Sequence, residues 1–272
     1  MQTKTITYQS SSIFYRIAGQ GKPVVLLHGF AEDGDIWQHQ IEFLKDHFTV
    51  IIPDLPGTGK SDMIAGMSID GMADVIKEIL IIELSKFPLQ QVVLIGHSMG
   101  GYITLAFAEK YPQLLIGFGL VHSSAFADNE EKKAARLKSI EFIKDKGAYE
   151  FLKTTIPGLF LVDAAGLKPP DPYVSVLIEK GKKFTPEALI AYYQAMITRQ
   201  DRTEVLKTFK GPILFIIGEH DKAIPFDQSM QQCYLPEQSD VHILQNSAHM
   251  GMVEEKDNVN KALLNFIQST SL

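Results

Sequence analysis

Ser98 stands between glycines in Gly96-His97-Ser98-Met99-Gly100. There an apolar strand-like run, Val92 to Ile95, gives way to a helix-like run, Tyr102 to Lys110. A serine on a sharp strand-to-helix turn presents its hydroxyl at the top of a sheet, with a helix N-terminus behind it. The glycines suit that geometry, because a tight turn leaves no room for Cβ atoms beside the serine. A serine hydroxyl alone is a poor nucleophile. The chemistry needs a base, and an acid that orients the base.

Two further residues fall where that chemistry requires. Asp221 follows the apolar run Ile213 to Ile217 across Gly218-Glu219-His220. His249 follows Val241 to Leu244 across Gln245-Asn246-Ser247-Ala248. Both lie just past the carboxyl ends of predicted strands, the edge where open α/β sheets build their sites. The order Ser, Asp, His is the one that the nucleophile-elbow architecture requires. Glu219 is the competing acid by proximity.

Of the three residues, only histidine titrates near neutrality. His249 is therefore expected to take the serine proton and return it to a leaving group. Asp221 would fix the imidazole tautomer and stabilise the imidazolium. A tetrahedral oxyanion needs two donors. The Met99 backbone N–H is one. The loop His28-Gly29-Phe30 should supply the other, as the Phe30 N–H. Each such donor is typically worth about 10² to 10³ in rate.

Other residues carry blander readings. His28 shapes the oxyanion loop, His97 packs inside the elbow, His122 ends a strand in a structural role, and Asp54 anchors a loop. No histidines and acids have the H-E-x-x-H spacing, so no metal and no cofactor are expected. Gly57-Thr58-Gly59-Lys60-Ser61 looks like the end of a phosphate loop, but Asp54 occupies the position of its first glycine. A carboxylate there would repel phosphate, so the segment reads as a glycine-shaped turn. Phe126, Phe160, Tyr192 and Met250 are expected to line the substrate pocket.

The elements that must position these groups alternate strand and helix. Ile6 to Tyr8 and Ile13 to Ile17 read as an antiparallel pair, and Pro23 to Leu27 as a buried central strand. Helical spacing covers Asp35 to Leu44 and Ile69 to Leu84, the latter capped by Ser68. Leu115 to Val121 is another strand. From Asp128 the pattern turns helical, with Gly147 closing the first helix, a loop at Pro169-Pro170, and starts at Asp171-Pro172 and Thr185-Pro186. The sheet resumes at Pro212, and a last helix spans about 254 to 267. The predicted class is α/β: a mostly parallel central sheet with helices on both faces. The core comprises residues 1–123 and 185–272. An inserted helical lid covers 124–184.

Bulk composition narrows the partners. The chain has 272 residues, 45% apolar and 21% charged, with a net charge of −6. That balance argues against nucleic acid and anionic membranes, since both reward a basic face. The one cysteine, Cys233, permits no internal disulfide. No basic-then-apolar leader is seen, and no apolar run approaches the roughly 18 residues of a membrane span. A cytoplasmic protein, monomer or homodimer, without membrane insertion is expected.

Taken together, His28-Gly29-Phe30, Asp54 to Ser61, Gly96 to Gly101, Gly218 to Asp221 and Asn246 to His249 resemble the motifs of the α/β-hydrolase superfamily. The likeness is to its lidded, single-domain esterase branch, and it covers nearly the whole chain. It favours Asp221 over Glu219, and implies hydrolysis of carboxylic esters of small to medium substrates through an acyl-enzyme. C–C bond, lactone, thioester and perhydrolase chemistry use the same residues, and some relatives act as slow-turnover ligand receptors. Ser98 departs from the branches that use an aspartate nucleophile. Tyr102 replaces an arginine found after the elbow in one branch, which weakens the case for a strongly anionic substrate.

Overall fold

A computed structural model describes residues 1–87, 90–162 and 171–270. The loop expected at Pro169-Pro170 lies outside the described residues. Eight strands form one sheet: β1 (Gln2–Tyr8), β2 (Ser11–Ala18), β3 (Pro23–Leu27), β4 (Thr49–Pro53), β5 (Val92–His97), β6 (Leu115–Val121), β7 (Ile213–Gly218) and β8 (Ser239–Leu244). Their order is β1-β2-β4-β3-β5-β6-β7-β8. β1 and β2 pair antiparallel, β2 joins β4 antiparallel, and every later pairing is parallel. The expected α/β class and antiparallel opening are both present.

The period of two along each strand divides the core. Val25 and Leu27 of β3 pack on one side of the sheet, and Val24 and Leu26 on the other. On the first side lie α2 (Ile69–Leu84) and α3 (Met99–Lys110). On the second lie α1 (Gln38–Leu44) and α11 (Lys256–Ser269). Central strands buried on both faces must be apolar throughout, which is why β3 reads as a continuous run. The edge strand β8 instead alternates exposed and half-buried residues.

Between β6 and β7 run α4 (Glu130–Lys146), α5 (Ala148–Thr155), α6 (Pro172–Lys180), α7 (Pro186–Ile197) and α8 (Thr203–Thr208). The chain then adds α9 (Phe226–Cys233) and α10 (Gly251–Glu254) before α11. Caps set these boundaries. Ser68 accepts from Gly71 N, Asn129 from Lys132 N, and Thr185 from Ala188 N. Gly147, at φ 87°, ends α4. Helix α6 ends at its C-cap Gly181, and a separate 3-10 turn then runs through Lys183. The last helix is broken at Glu255, whose carboxylate accepts from the Asn246 amide at 2.6 Å. Helices α7 and α8 extend the inserted connection beyond residue 184. Among the described residues, no helix is long and apolar enough to cross a membrane.

Candidate active site

The elbow forms where β5 meets α3. Ser98 sits at φ 50°, ψ −116°, a conformation that costs a non-glycine residue about 1–3 kcal/mol. Neighbouring groups hold it there. The Ser98 N–H donates to Val121 O at 2.9 Å. Its carbonyl accepts from Gly101 N at 2.9 Å and from the Ser123 hydroxyl at 2.7 Å. The glycines are needed for close approach. A Cβ on Gly96 would overlap the Gly100 carbonyl, and one on Gly100 would lie 2.5 Å from Leu27 O.

Ser98, His249 and Asp221 come together in one hydrogen-bonded chain. The Ser98 hydroxyl lies 2.9 Å from His249 Nε2, and His249 Nδ1 lies 2.7 Å from Asp221 Oδ2. Asp221 Oδ1 accepts from the amides of Ala223 and Ile224 at 2.8 and 2.9 Å. Glu219 is exposed, so the acid in contact with the imidazole is Asp221. Burial would raise the Asp221 pKa, but the facing imidazoles of His249 and His122 hold it far below the usual carboxylate range. Burial also opposes protonation of His249. The Asp221 charge and hydrogen bond, with Glu32 behind, outweigh it, so the imidazole pKa lies above the ordinary value of about 6.5.

The histidines divide their roles by partner. His28 is fully buried; its Nδ1 meets Gly29 O at 2.9 Å and its Nε2 accepts from the Leu55 amide. It shapes the loop, as expected. His97 lies between Glu32, at 3.0 Å, and the His249 carbonyl, at 3.0 Å. Glu32 also accepts from Gly29 N at 2.6 Å, so one carboxylate joins the elbow to the loop after β3. The ring of Trp37 stands edge-on to His97 at 6.3 Å. Asp54 accepts from Arg16, Gly34 N and Lys60 N, as a loop anchor should. Cys233 is buried, which pushes its thiol up to about 12.

Two residues of the site carried no catalytic reading in the sequence. His122 Nδ1 lies 3.3 Å from Asp221 Oδ2, while its Nε2 accepts from Gly251 N at 3.2 Å. Burial pushes its pKa down to about 4, so the ring is a neutral second donor to the acid. Glu254 is the other. It accepts from Ser247 Oγ and Ala248 N at 3.0 Å, Met250 N at 3.3 Å and Leu161 N at 2.6 Å. His122 has no local signature, since Asp221 lies 99 residues away; Glu254 caps the loop four to seven residues before it and also reaches Leu161, 93 residues away. His122, Asp221 and His249 could each turn one atom toward a cation within a 4.8 Å span. Those groups are already hydrogen-bonded to one another, the arrangement of a proton relay.

A cavity of about 260 Å³ opens on Ser98 and His249. Its apolar wall comes from Phe30, Leu159, Tyr193, Met196 and Ile224. Phe30 stacks on Tyr193 at 4.4 Å. The four residues expected in the pocket do not line this cavity. Tyr192 is wholly buried with its hydroxyl on Pro56 O at 2.6 Å; Met250 is wholly buried too. Phe160 is packed in the core beneath the inserted helices. Phe126 is half-buried, and its carbonyl accepts from Arg199. Successive helical residues point about 100° apart, so Tyr192 faces the core while Tyr193 faces the cavity. Of the expected oxyanion donors, Phe30 borders the cavity and Met99 opens α3 directly behind Ser98.

Known proteins agree with this architecture. The model of the alpha/beta hydrolase fold family matches residues 22–153. A thermophilic esterase from Thermogutta terrifontis, solved with malate bound, superposes with a TM-score of 0.90 at 28% identity over 100% of both chains. The pimeloyl-[acyl-carrier protein] methyl ester esterase of Vibrio vulnificus is 25% identical over 94% of this chain and 98% of its own length. The 2-hydroxy-6-oxo-6-phenylhexa-2,4-dienoate hydrolase of Comamonas testosteroni is 24% identical over 94% and 91%. Fold, elbow and relatives together define a hydrolase. The chain has the α/β-hydrolase fold.

Proposed function

We propose that the chain is a serine hydrolase that cleaves small carboxylic esters through an acyl-enzyme. The observation that carries this reading is the hydrogen-bonded chain Ser98–His249–Asp221 at the carboxyl ends of the parallel strands. In the reaction, Ser98 Oγ bonds to the ester carbonyl carbon as its proton passes to His249 Nε2. The carbonyl oxygen becomes an oxyanion facing the Phe30 and Met99 amides. As a first-turn residue, Met99 has no carbonyl four residues earlier in its own helix, which frees its N–H for this use. Collapse expels the alkoxide, which takes the proton from His249 and leaves as alcohol. Water, deprotonated by His249, then attacks the acyl carbon and releases the carboxylic acid and Ser98.

The inserted helices act as a lid, with Tyr193 and Leu159 bounding the acyl group. A cavity near 260 Å³ lies at the low end for ligand sites, which favours small substrates. The test is hydrolysis of p-nitrophenyl esters of increasing acyl length by wild type and Ser98→Ala. The variant should lose about 10⁴-fold or more in kcat. Unchanged hydrolysis in Ser98→Ala would end the proposal.

A further inference from the structure

The chain carries a net charge of −6, yet the walls of the Ser98 cavity are cationic. Lys132, Arg136 and Lys222 line it against a single carboxylate, Glu32. Glu32 is already engaged by Gly29 N and His97. Arg136 and Arg199 share one buried partner, Asp128, at 2.6 and 2.9 Å. Lys132, half-buried, donates to the Ala223 carbonyl at 2.9 Å. Among the described residues no carboxylate lies within the 4.0 Å of an ion pair with it. Lys222 has no hydrogen-bond or ion-pair partner among the described residues.

A half-buried ammonium with spare donors and no counter-ion is an incomplete arrangement. A carboxylate brought beside it would gain charge-assisted hydrogen bonds in a partly desolvated setting. The two lysines also stand at an informative place. With Ala223 they form the wall shared by the Ser98 cavity and a neighbouring cavity of about 330 Å³. A substrate with its ester at Ser98 would therefore point its far end at them. Tyr102, after the elbow, had counted against an anionic substrate. The positive charge comes instead from α4 and from the loop after β7, and the Arg199 guanidinium lies 4.0 Å over the Tyr102 ring.

Resting on the ester reading, we propose that this site selects esters bearing a second, free carboxylate, held by Lys132 and Lys222 at the cavity wall. The test compares monomethyl succinate with its uncharged isostere, methyl 4-methylpentanoate, by proton release. Wild type should favour the anionic ester in kcat/KM by about tenfold or more, and added salt should shrink that ratio. Lys132→Gln should lower the ratio about tenfold, and Lys132→Arg should largely restore it. A wild-type ratio at or below one, or one unmoved by Lys132→Gln, overturns the proposal.

A binding arm separates this from the ester reading. Calorimetric titration of Ser98→Ala with monomethyl succinate should show binding that weakens in Ser98→Ala/Lys132→Gln. Binding without wild-type turnover of either ester would sink the ester reading and sustain the anion site. Turnover of both esters without preference would do the reverse.

Discussion

Asp221 is the residue on which the electrostatics of the site converge. It accepts from His249, from His122 and from the amides of Ala223 and Ile224. The pH dependence follows from its charge. His249 must be neutral to act as a base, and its pKa lies above the ordinary histidine value. Activity is then full above that pKa and falls as pH drops through it. The acid limb of kcat/KM should be centred above about pH 6.5. A midpoint below that value contradicts the role given to Asp221. His122 acts on the same limb from the other side. In His122→Phe the carboxylate loses a donor and holds the His249 proton more strongly, so the limb should move to higher pH. The Gly251 amide also loses its acceptor, at a cost of about 1–3 kcal/mol in stability. A destabilised variant with an unmoved limb would show that His122 is only structural. Ser98, Asp221 and His249 were legible in the sequence because each sits a few residues past an apolar run. His122 was read only as a strand end, because its partner lies 99 residues away.

At the scale of elements, two helices decide what the nucleophile meets. The start of α3 lies against the end of β3, where Gly100 admits the Leu27 and His28 carbonyls. Gly100→Ala should destabilise the protein by more than about 2 kcal/mol in denaturant unfolding, since backbone on both sides must move. Wild-type stability in that variant would show that the packing is looser than described. Helix α7 sets the far wall through Tyr193, stacked on Phe30. Tyr193→Ala should move the p-nitrophenyl ester optimum to longer acyl chains, with several-fold gains for the longest. An unchanged profile would place the acyl group elsewhere. The strands and most caps were readable because burial on both faces and Ser, Asn or Thr caps leave local marks. The pocket was not. Choosing Tyr193 over Tyr192 depends on helix phase against a wall that sequence does not reveal. The short α8 was missed as well, although Asp201, accepting from Thr203 N at 3.0 Å, marks its start.

Across the whole molecule, the inserted segment is fastened to the loop that carries His249. The His249 amide donates to Leu159 O at 2.9 Å, and Leu161 N donates to Glu254, which also gathers the amides of Ala248 and Met250. The base is thus positioned partly by the helices that cover it. The segments 156–162 and 245–250 should exchange their amide hydrogens with matched protection, as one cooperative unit. Rapid exchange in 156–162 beside a protected 245–250 would show that the two move apart freely. Glu254→Gln replaces an acceptor within this cluster with a donor. It should cost about 1–3 kcal/mol in stability and lower kcat, as esterase rates and thermal melts would register.

Trp37 gives this arrangement an optical dimension. It is the chain's single tryptophan, wholly buried, and it stands edge-on to the histidine that touches the His249 carbonyl. Its emission therefore comes from one place, with its ring 6.3 Å from that of His97, the residue before the nucleophile. Displacement of His97 during acylation would alter that emission. The protein thus carries its own fluorophore for stopped-flow observation of the covalent step, without any added label.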